Sequence, residues 1–200
     1  MSIAKQLIKI GALKLNTEKY FTWTSGIQSP IYCDNRLIIS YPEVREEVIE
    51  AMVNKIKETY KDVDVIAGCA TAGIPHAAWV ADRLNLPMVY VRDKAKKHGL
   101  NNQIEGRINK GDRILIIEDL ISTGGSSIKA ANAATDAGGH VLGILSIFSY
   151  NMKKSLENMK EHGYQSDSLL TFDTLLNELQ SKGQYDEQQI KDLLEWRDAF

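Results

Sequence analysis

Residues 113–131 read RILIIEDLISTGGSSIKAA, and the order of residue types in this stretch decides the fold. Ile114, Leu115, Ile116 and Ile117 form a continuous apolar run, the mark of a strand buried on both faces of a parallel sheet. Two acids follow, Glu118 and Asp119, then Leu120 and Ile121, then the cluster Ser122, Thr123, Gly124, Gly125 and Ser126. That cluster opens a helical pattern, so its backbone N–H groups and hydroxyls are placed to surround a phosphate. Glycine at 124 and 125 permits close backbone approach and unusual dihedrals. Carboxylates repel phosphate, so Glu118 and Asp119 should face a neutral part of the same ligand. Sugar hydroxyls fit, because they donate hydrogen bonds to carboxylates. A phosphate beside a pair of hydroxyls describes ribose 5-phosphate. Taken alone, the same acids also suit a metal-binding strand of the receiver or Walker B kind. Neighbouring strand residues face opposite ways, so both acids reach one sugar only if the strand has already ended.

Outward from this stretch the chain alternates. Residues 64–68, 87–92 and 140–150 read as strands, and 73–85 and 124–139 as helices, which predicts a parallel sheet covered on both faces. Right-handed crossovers then gather the strand C-terminal ends on one rim, where such folds bind ligands. Upstream, Ile3, Leu7 and Ile10 follow helical spacing after Ser2, with Gly11 placed to stop the helix. Residues 41–60 form a strong amphipathic helix, Pro42 in its first turn and Val44, Val48, Met52, Ile49, Val53 and Ile56 on one face. Residues 21–36 look irregular. From about residue 151 the pattern is helical again, with one candidate strand at 168–173.

Two more segments meet on the ligand rim. In AGCATAGIPHAA, residues 67–78, Gly68 and Gly73 have P-loop spacing, but Ile74 and Pro75 stand where Lys and Ser/Thr are required. The turn is therefore either a second anion site or a plain strand-to-helix connection. Residues 91–112 crowd Arg92, Lys94, Lys96, Lys97 and His98 into a segment without clean periodicity, a functional loop or a solvated one.

The bulk numbers narrow the class. Two hundred residues suit one domain, and 44% hydrophobic with 25% charged residues is ordinary for a soluble globular protein. A formal net charge of -2 gives no reason to expect nucleic acid or an anionic membrane as partner. Cys33 and Cys69 form neither a CxxC nor a zinc spacing, which points to a reduced cytoplasmic setting. The N-terminus lacks a signal-peptide core, and no apolar run is long enough to span a bilayer. His76, His140 and His162 are scattered, and read as structural or solvent-facing.

The three rim segments, in this order, resemble the type I phosphoribosyltransferase family. ILIIEDLISTGG is similar to that family's motif for 5-phosphoribosyl 1-diphosphate (PRPP), and FTWTSGIQSPIYCDNR with VRDKAKKHG resembles its orotate phosphoribosyltransferase branch. The resemblance runs over roughly residues 1–150, and the tail adds little to it. It implies an α/β fold, a parallel sheet with helices on both faces and a small N-terminal hood from about residues 1–36, all 200 residues forming one phosphoribosyltransferase domain. It implies that Ser122, Thr123, Gly124, Gly125 and Ser126 hold the 5-phosphate, with Leu120 and Ile121 in the same motif. Glu118 and Asp119 take the ribose hydroxyls, and the turn Ala70, Thr71, Ala72 and Gly73 takes pyrophosphate. Arg92, Lys96 and His98 grip pyrophosphate, with Lys96 or His98 as proton donor. Ser25, Tyr32 and Ser122 hold orotate, although Tyr32 is equally readable as a core aromatic. Mg²⁺ is expected on the substrate's own oxygens rather than in a protein cluster. A homodimer is implied, the loop 92–107 closing over the neighbouring subunit's site.

Some positions depart from the pattern. Thr24, Ala72 and Asp93 stand where some members carry lysine, and SIFSYN, residues 146–151, lacks an arginine that some use for orotate. Two other readings keep part of the chemistry: transfer to a purine, and a PRPP-sensing regulator without catalysis. Residues 21–36 argue against the first. The loop cations and the lack of a basic nucleic-acid face argue against the second.

Overall fold

The computed structural model describes residues 2–23, 26–93 and 103–200. The N-terminal segment contributes α1 (Ile3–Lys9), β1 (Leu13–Leu15), β2 (Phe21–Thr22), β3 (Gln28–Ser29), β4 (Ile31–Cys33) and a 3-10 turn, Asn35–Ser40. Then come α2 (Pro42–Thr59), β5 (Val65–Cys69), α3 (Gly73–Leu84), β6 (Met88–Val91), β7 (Ile104–Glu105), β8 (Arg113–Ile121), α4 (Gly125–Asp136) and β9 (His140–Ser149). The chain closes with α5 (Lys153–Glu161), β10 (Ser166–Thr171), α6 (Phe172–Ser181) and α7 (Glu187–Asp198). Local chemistry sets several of these boundaries. The Ser2 hydroxyl caps α1 by accepting the Lys5 N–H at 3.3 Å, and Gly11, at φ +73°, turns the chain away afterwards. All six apolar residues expected on one face of α2 are buried.

Six strands form the central sheet in the order β10-β9-β8-β5-β6-β7. Every pairing is parallel except that of β7, which lies antiparallel on β6. Successive residues of β8 serve opposite faces. Leu115 and Ile117 join a core with α2, α3, α6 and α7, whereas Ile114 and Ile116 join one with α4 and Met159 of α5. A strand buried on both sides has no place for polar residues until it reaches the rim, which is why the run is unbroken. From β5 the chain winds one way through α3 to β6; from β8 it winds the other way through α4, β9 and α5 to β10. The reversal falls between β5 and β8, where an open sheet leaves a crevice at its strand ends. At the opposite end of the same two strands, Asp64 and Arg113 lock the pairing with a bidentate bridge of 2.8 and 2.9 Å.

Leu7, Ala12, Leu13 and Ile31 of the hood are fully or almost fully buried in the same core as the sheet. The hood is two small antiparallel pairs, β1 with β4 and β2 with β3. Two expectations need correction. β8 continues two residues beyond Asp119, held by pairing of Leu120 and Ile121 with β9. Residues 91–112 are not all irregular, since β7 pairs with β6 and Gly106, at φ +102°, redirects the chain after it. In the tail, α6 and α7 insert Leu175, Leu176, Ile190 and Leu193 into the main core.

His140 and His162 are exposed, and His76 is the structural histidine. It lies on α3 with no exposed surface, its ring edge-on to Trp79 at 5.8 Å, and neither ring nitrogen has a partner. Burial pushes its pKa down to about 4. The folded ring stays neutral while the unfolded chain takes a proton below about 6.5, so stability falls as pH drops from about 6.5 towards 4. Urea unfolding at pH 7.5 and pH 5 tests this: His76→Leu should shrink the loss between those pH values by about 2 kcal/mol. An unchanged pH dependence would remove His76 as its source.

Candidate active site at the switch point

β8 pairs with β5 only as far as Ile117 opposite Gly68, after which β5 turns away. The β5-side edge of β8 is therefore open from Glu118 onward, although its other edge stays paired with β9. Glu118, 4% exposed, lies on the α4 side, where its Oε2 accepts the Ser126 hydroxyl at 3.3 Å and its Oε1 accepts the Asp119 N–H at 3.1 Å. Asp119 lies towards the hood, its carbonyl accepting the Asn35 side-chain N–H at 2.7 Å. The two acids are adjacent in the chain, and the Glu118 carboxylate reaches the Asp119 backbone N–H. The strand has therefore not ended at the acids; only its pairing with β5 has. Burial, and then the charge of Asp119, raise the pKa of Glu118; burial raises that of Asp119. The buried Cys69 thiol beside Glu118 is pushed up as well, by burial first and Glu118 second. Such a pair is poised to accept hydrogen bonds from a ligand.

The phosphate-like loop follows. Gly124, at φ +80°, caps α4 without any side-chain hydrogen bond, so the first-turn N–H groups keep their capacity for an anion. The Thr123 carbonyl is drawn away by the Asn158 side-chain N–H at 3.0 Å. A Cβ at Gly124 would come within 2.9 Å of Met159 Cε, whereas one at Gly125 would meet only Thr123 Oγ1, at 4.0 Å. Of the two, glycine is favoured at 124 by its positive φ, whereas among the described residues a Cβ at Gly125 would meet no close contact. Leu120 and Ser122 line a cleft on one side of the acids; Gly125 and Ser126 line a smaller one on the other.

The turn Ala70, Thr71, Ala72 and Gly73 abuts β8 just before the acids. A Cβ at Gly73 would lie 2.5 Å from the Ile117 carbonyl oxygen, so only glycine allows this approach. Ala72 precedes α3 with no side-chain cap, and the Ala70–Thr71 peptide is cis. The smaller cleft, about 270 Å³, is lined by Cys69, Arg92, Asp93, Gln103 and Lys129 among others. Arg92 and Gln103 exchange hydrogen bonds of 2.8 and 2.7 Å, and the Arg92 guanidinium lies 3.5 Å from Glu105. Lys96 and His98 lie outside the described residues, as do Thr24 and Ser25.

The larger cleft, about 400 Å³, lies between the hood and β8, lined by Thr22, Trp23, Tyr32, Cys33, Arg36, Leu120, Ser122 and Tyr150. Tyr32 is 36% exposed and packs on Phe21 at 5.9 Å, so it is a cleft wall rather than a core aromatic. Behind it stands an aromatic stack: Trp23 lies 5.0 Å from Tyr150, and Trp196 of α7 lies edge-on to Trp23 at 6.0 Å. The Trp196 indole N–H donates to the Gln28 carbonyl at 2.8 Å, tying the tail to the hood. Asn35, Arg36, Tyr150 and Trp196 went unread in the sequence. Only the charges of CDNR offered a signal, because the aromatic contacts join positions far apart in the chain.

The comparisons agree with this geometry. Residues 39–174 match the model of the phosphoribosyl transferase domain, and the chain belongs to that family. Within it, the chain is 52% identical over 195 residues to the orotate phosphoribosyltransferase of Enterococcus faecalis, covering 98% of this chain and 93% of that one. The structure of the Aeropyrum pernix orotate phosphoribosyltransferase matches with a TM-score of 0.78 and 28% identity over 92% of this chain and 99% of that one. Leishmania donovani UMP synthase matches with a TM-score of 0.80 and 29% identity, over 99% of this chain but 42% of that one.

The raised pKa of Glu118 carries a stability consequence. Its ionisation opposes folding as pH rises above its ordinary range. Glu118→Gln should therefore raise Tm by about 2–4 °C at pH 8. The gain should vanish near pH 4, where both folded and unfolded chains carry a neutral side chain. The same variant should weaken PRPP binding about tenfold or more, the worth of a hydrogen bond to a charged group. Thermal melts at both pH values and a PRPP titration check this.

Proposed function

We propose that the protein transfers ribose 5-phosphate from PRPP to orotate, giving orotidine 5'-monophosphate and pyrophosphate in pyrimidine synthesis. One observation carries the reading: a buried carboxylate, Glu118, and a half-buried one, Asp119, stand between an uncapped helix N-terminus and an aromatic cleft. Ser122, Thr123, Gly124, Gly125 and Ser126 hold the 5-phosphate, and Glu118 and Asp119 accept the ribose hydroxyls. Tyr32 and Ser122, which line the larger cleft, hold the base together with Ser25, which lies outside the described residues. Ala70, Thr71, Ala72 and Gly73 receive pyrophosphate with Arg92, Lys96 and His98.

Charge explains the arrangement. Breaking the bond from C1 to pyrophosphate makes the ribosyl centre cationic and leaves negative charge on the departing group. Glu118 and Asp119 offset the first charge; Arg92 and Lys96 offset the second, with Lys96 or His98 donating the proton. The Arg92 contact with Glu105 is one that pyrophosphate would compete for. Among the described residues no three His, Cys, Asp or Glu side chains gather to hold a metal ion. Mg²⁺ is expected on the substrate's own oxygens, beside the hydroxyls that Glu118 and Asp119 would accept. When bound, the ion neutralises part of the leaving group's charge.

The finer reading is a homodimer of one-domain subunits, the loop 92–107 of each closing on its neighbour's site and excluding water. A cytoplasmic setting agrees with the free Cys33 and Cys69. Protein mixed with Mg²⁺, PRPP and orotate should consume orotate, followed by its absorbance, and should not turn over adenine or hypoxanthine. Turnover of a purine alone, or PRPP binding without turnover of any base, would replace the reading. Lys96→Ala should lower kcat by about 10²–10³-fold, as expected for a preorganised donor to developing charge. A loss under about tenfold would remove Lys96 from that role.

A further inference from the structure

Orotate would bring a third carboxylate to a site whose centre already holds Glu118 and Asp119. Like charges in one poorly hydrated site repel strongly, so a cation should hold that carboxylate away from them. Among the described residues lining the larger cleft, Arg36 alone is a cation. We infer that Arg36 selects the anionic base, its outer guanidinium edge receiving the base carboxylate. The assignment rests on orotate being the acceptor.

Geometry supports it in three ways. Asp34 grips the inner edge of the guanidinium, Nε to Oδ1 at 2.7 Å and Nη2 to Oδ2 at 3.0 Å. That leaves both N–H groups of Nη1 and one of Nη2 along the outer edge, the fork that matches a carboxylate. The Arg36 side chain is 67% exposed, so this edge is open to a ligand. Asp34 is itself fixed: it accepts the Arg36 backbone N–H at 3.3 Å at the start of the 3-10 turn. The head group is thus oriented before any ligand arrives, which reduces the ordering cost of binding.

The third support is Asn35. Fully buried, it donates to the Asp119 carbonyl at 2.7 Å. Residues on either side of it are therefore held at a set position relative to the acids, so Arg36 and Asp119 form two ends of one rigid unit. A sugar accepted at Asp119 and a carboxylate accepted at Arg36 would orient the base between them, against Tyr32 and Ser122. An exposed pair two residues apart is usually a solvated surface bridge of little worth. This one differs because it borders a cleft and is anchored to the site's centre.

Steady-state kinetics with orotate and with its carboxamide test the assignment. Arg36→Ala should raise the KM for orotate about tenfold or more, in line with loss of a charge-assisted hydrogen bond. The KM for PRPP and the melting temperature should stay near those of the unaltered protein. The unaltered protein should prefer orotate to its carboxamide, and Arg36→Ala should lose that preference, which a merely structural role would not produce. Arg36→Lys, keeping charge without the fork, should recover part of it. If the unaltered protein uses orotate and Arg36→Ala keeps both the KM and the preference, the assignment fails while the activity stands. Equal rises in both KM values would overturn it as well. Absence of orotate turnover by the unaltered protein would instead overturn the activity on which it rests.

Discussion

Two adjacent carboxylates near the end of a parallel strand, Glu118 buried and Asp119 half-buried, are the constraint around which the rest of this structure is arranged. Burying acids together opposes folding, and the raised pKa of each is the sign of that opposition. The fold tolerates it because Ser126 and the Asp119 backbone satisfy part of the Glu118 carboxylate, and because the pairing of β8 with β5 ends at Ile117. An apolar pair at 118 and 119 would suit a strand of this kind better. The site thus accepts a local stability cost for groups aimed at a ligand.

Everything adjoining the acids is positioned by close backbone approach or by long-range packing. Gly73 lets the 70–73 turn touch β8, and Gly124 lets the next loop enter α4 under Met159. On the hood side, Asn35 bonds to the acid strand, and Trp196 bonds to the hood from the far end of the chain. The larger cleft therefore has walls from three distant parts of the sequence. Its shape depends on α7 although α7 contributes none of the residues lining it.

The same features divide the legible from the illegible. The strand–acid–loop pattern of residues 113–131 is local, and so were the α2 face, the Ser2 cap and the Gly11 stop; each is a short-range consequence of side-chain type. The open edge at Glu118 was not readable, because it depends on where the pairing with a different strand, β5, ends. Nor was the distinction between Gly124 and Gly125, since only the folded backbone shows that Gly124 takes a positive φ. β7 was missed because two residues are too few to show a period.

The sequence alone determined that a doubly covered parallel sheet carries an acidic pair beside an anion-binding loop, because burial on two faces, charge and helix initiation are written in adjacent residues. Tertiary structure alone decided that one edge of β8 is open at the acids, that the aromatic wall of the cleft is backed by Trp196 from the far end of the chain, and that Arg36 stands at its edge. Those outcomes depend on pairing and packing between residues far apart in the chain, which no local pattern records.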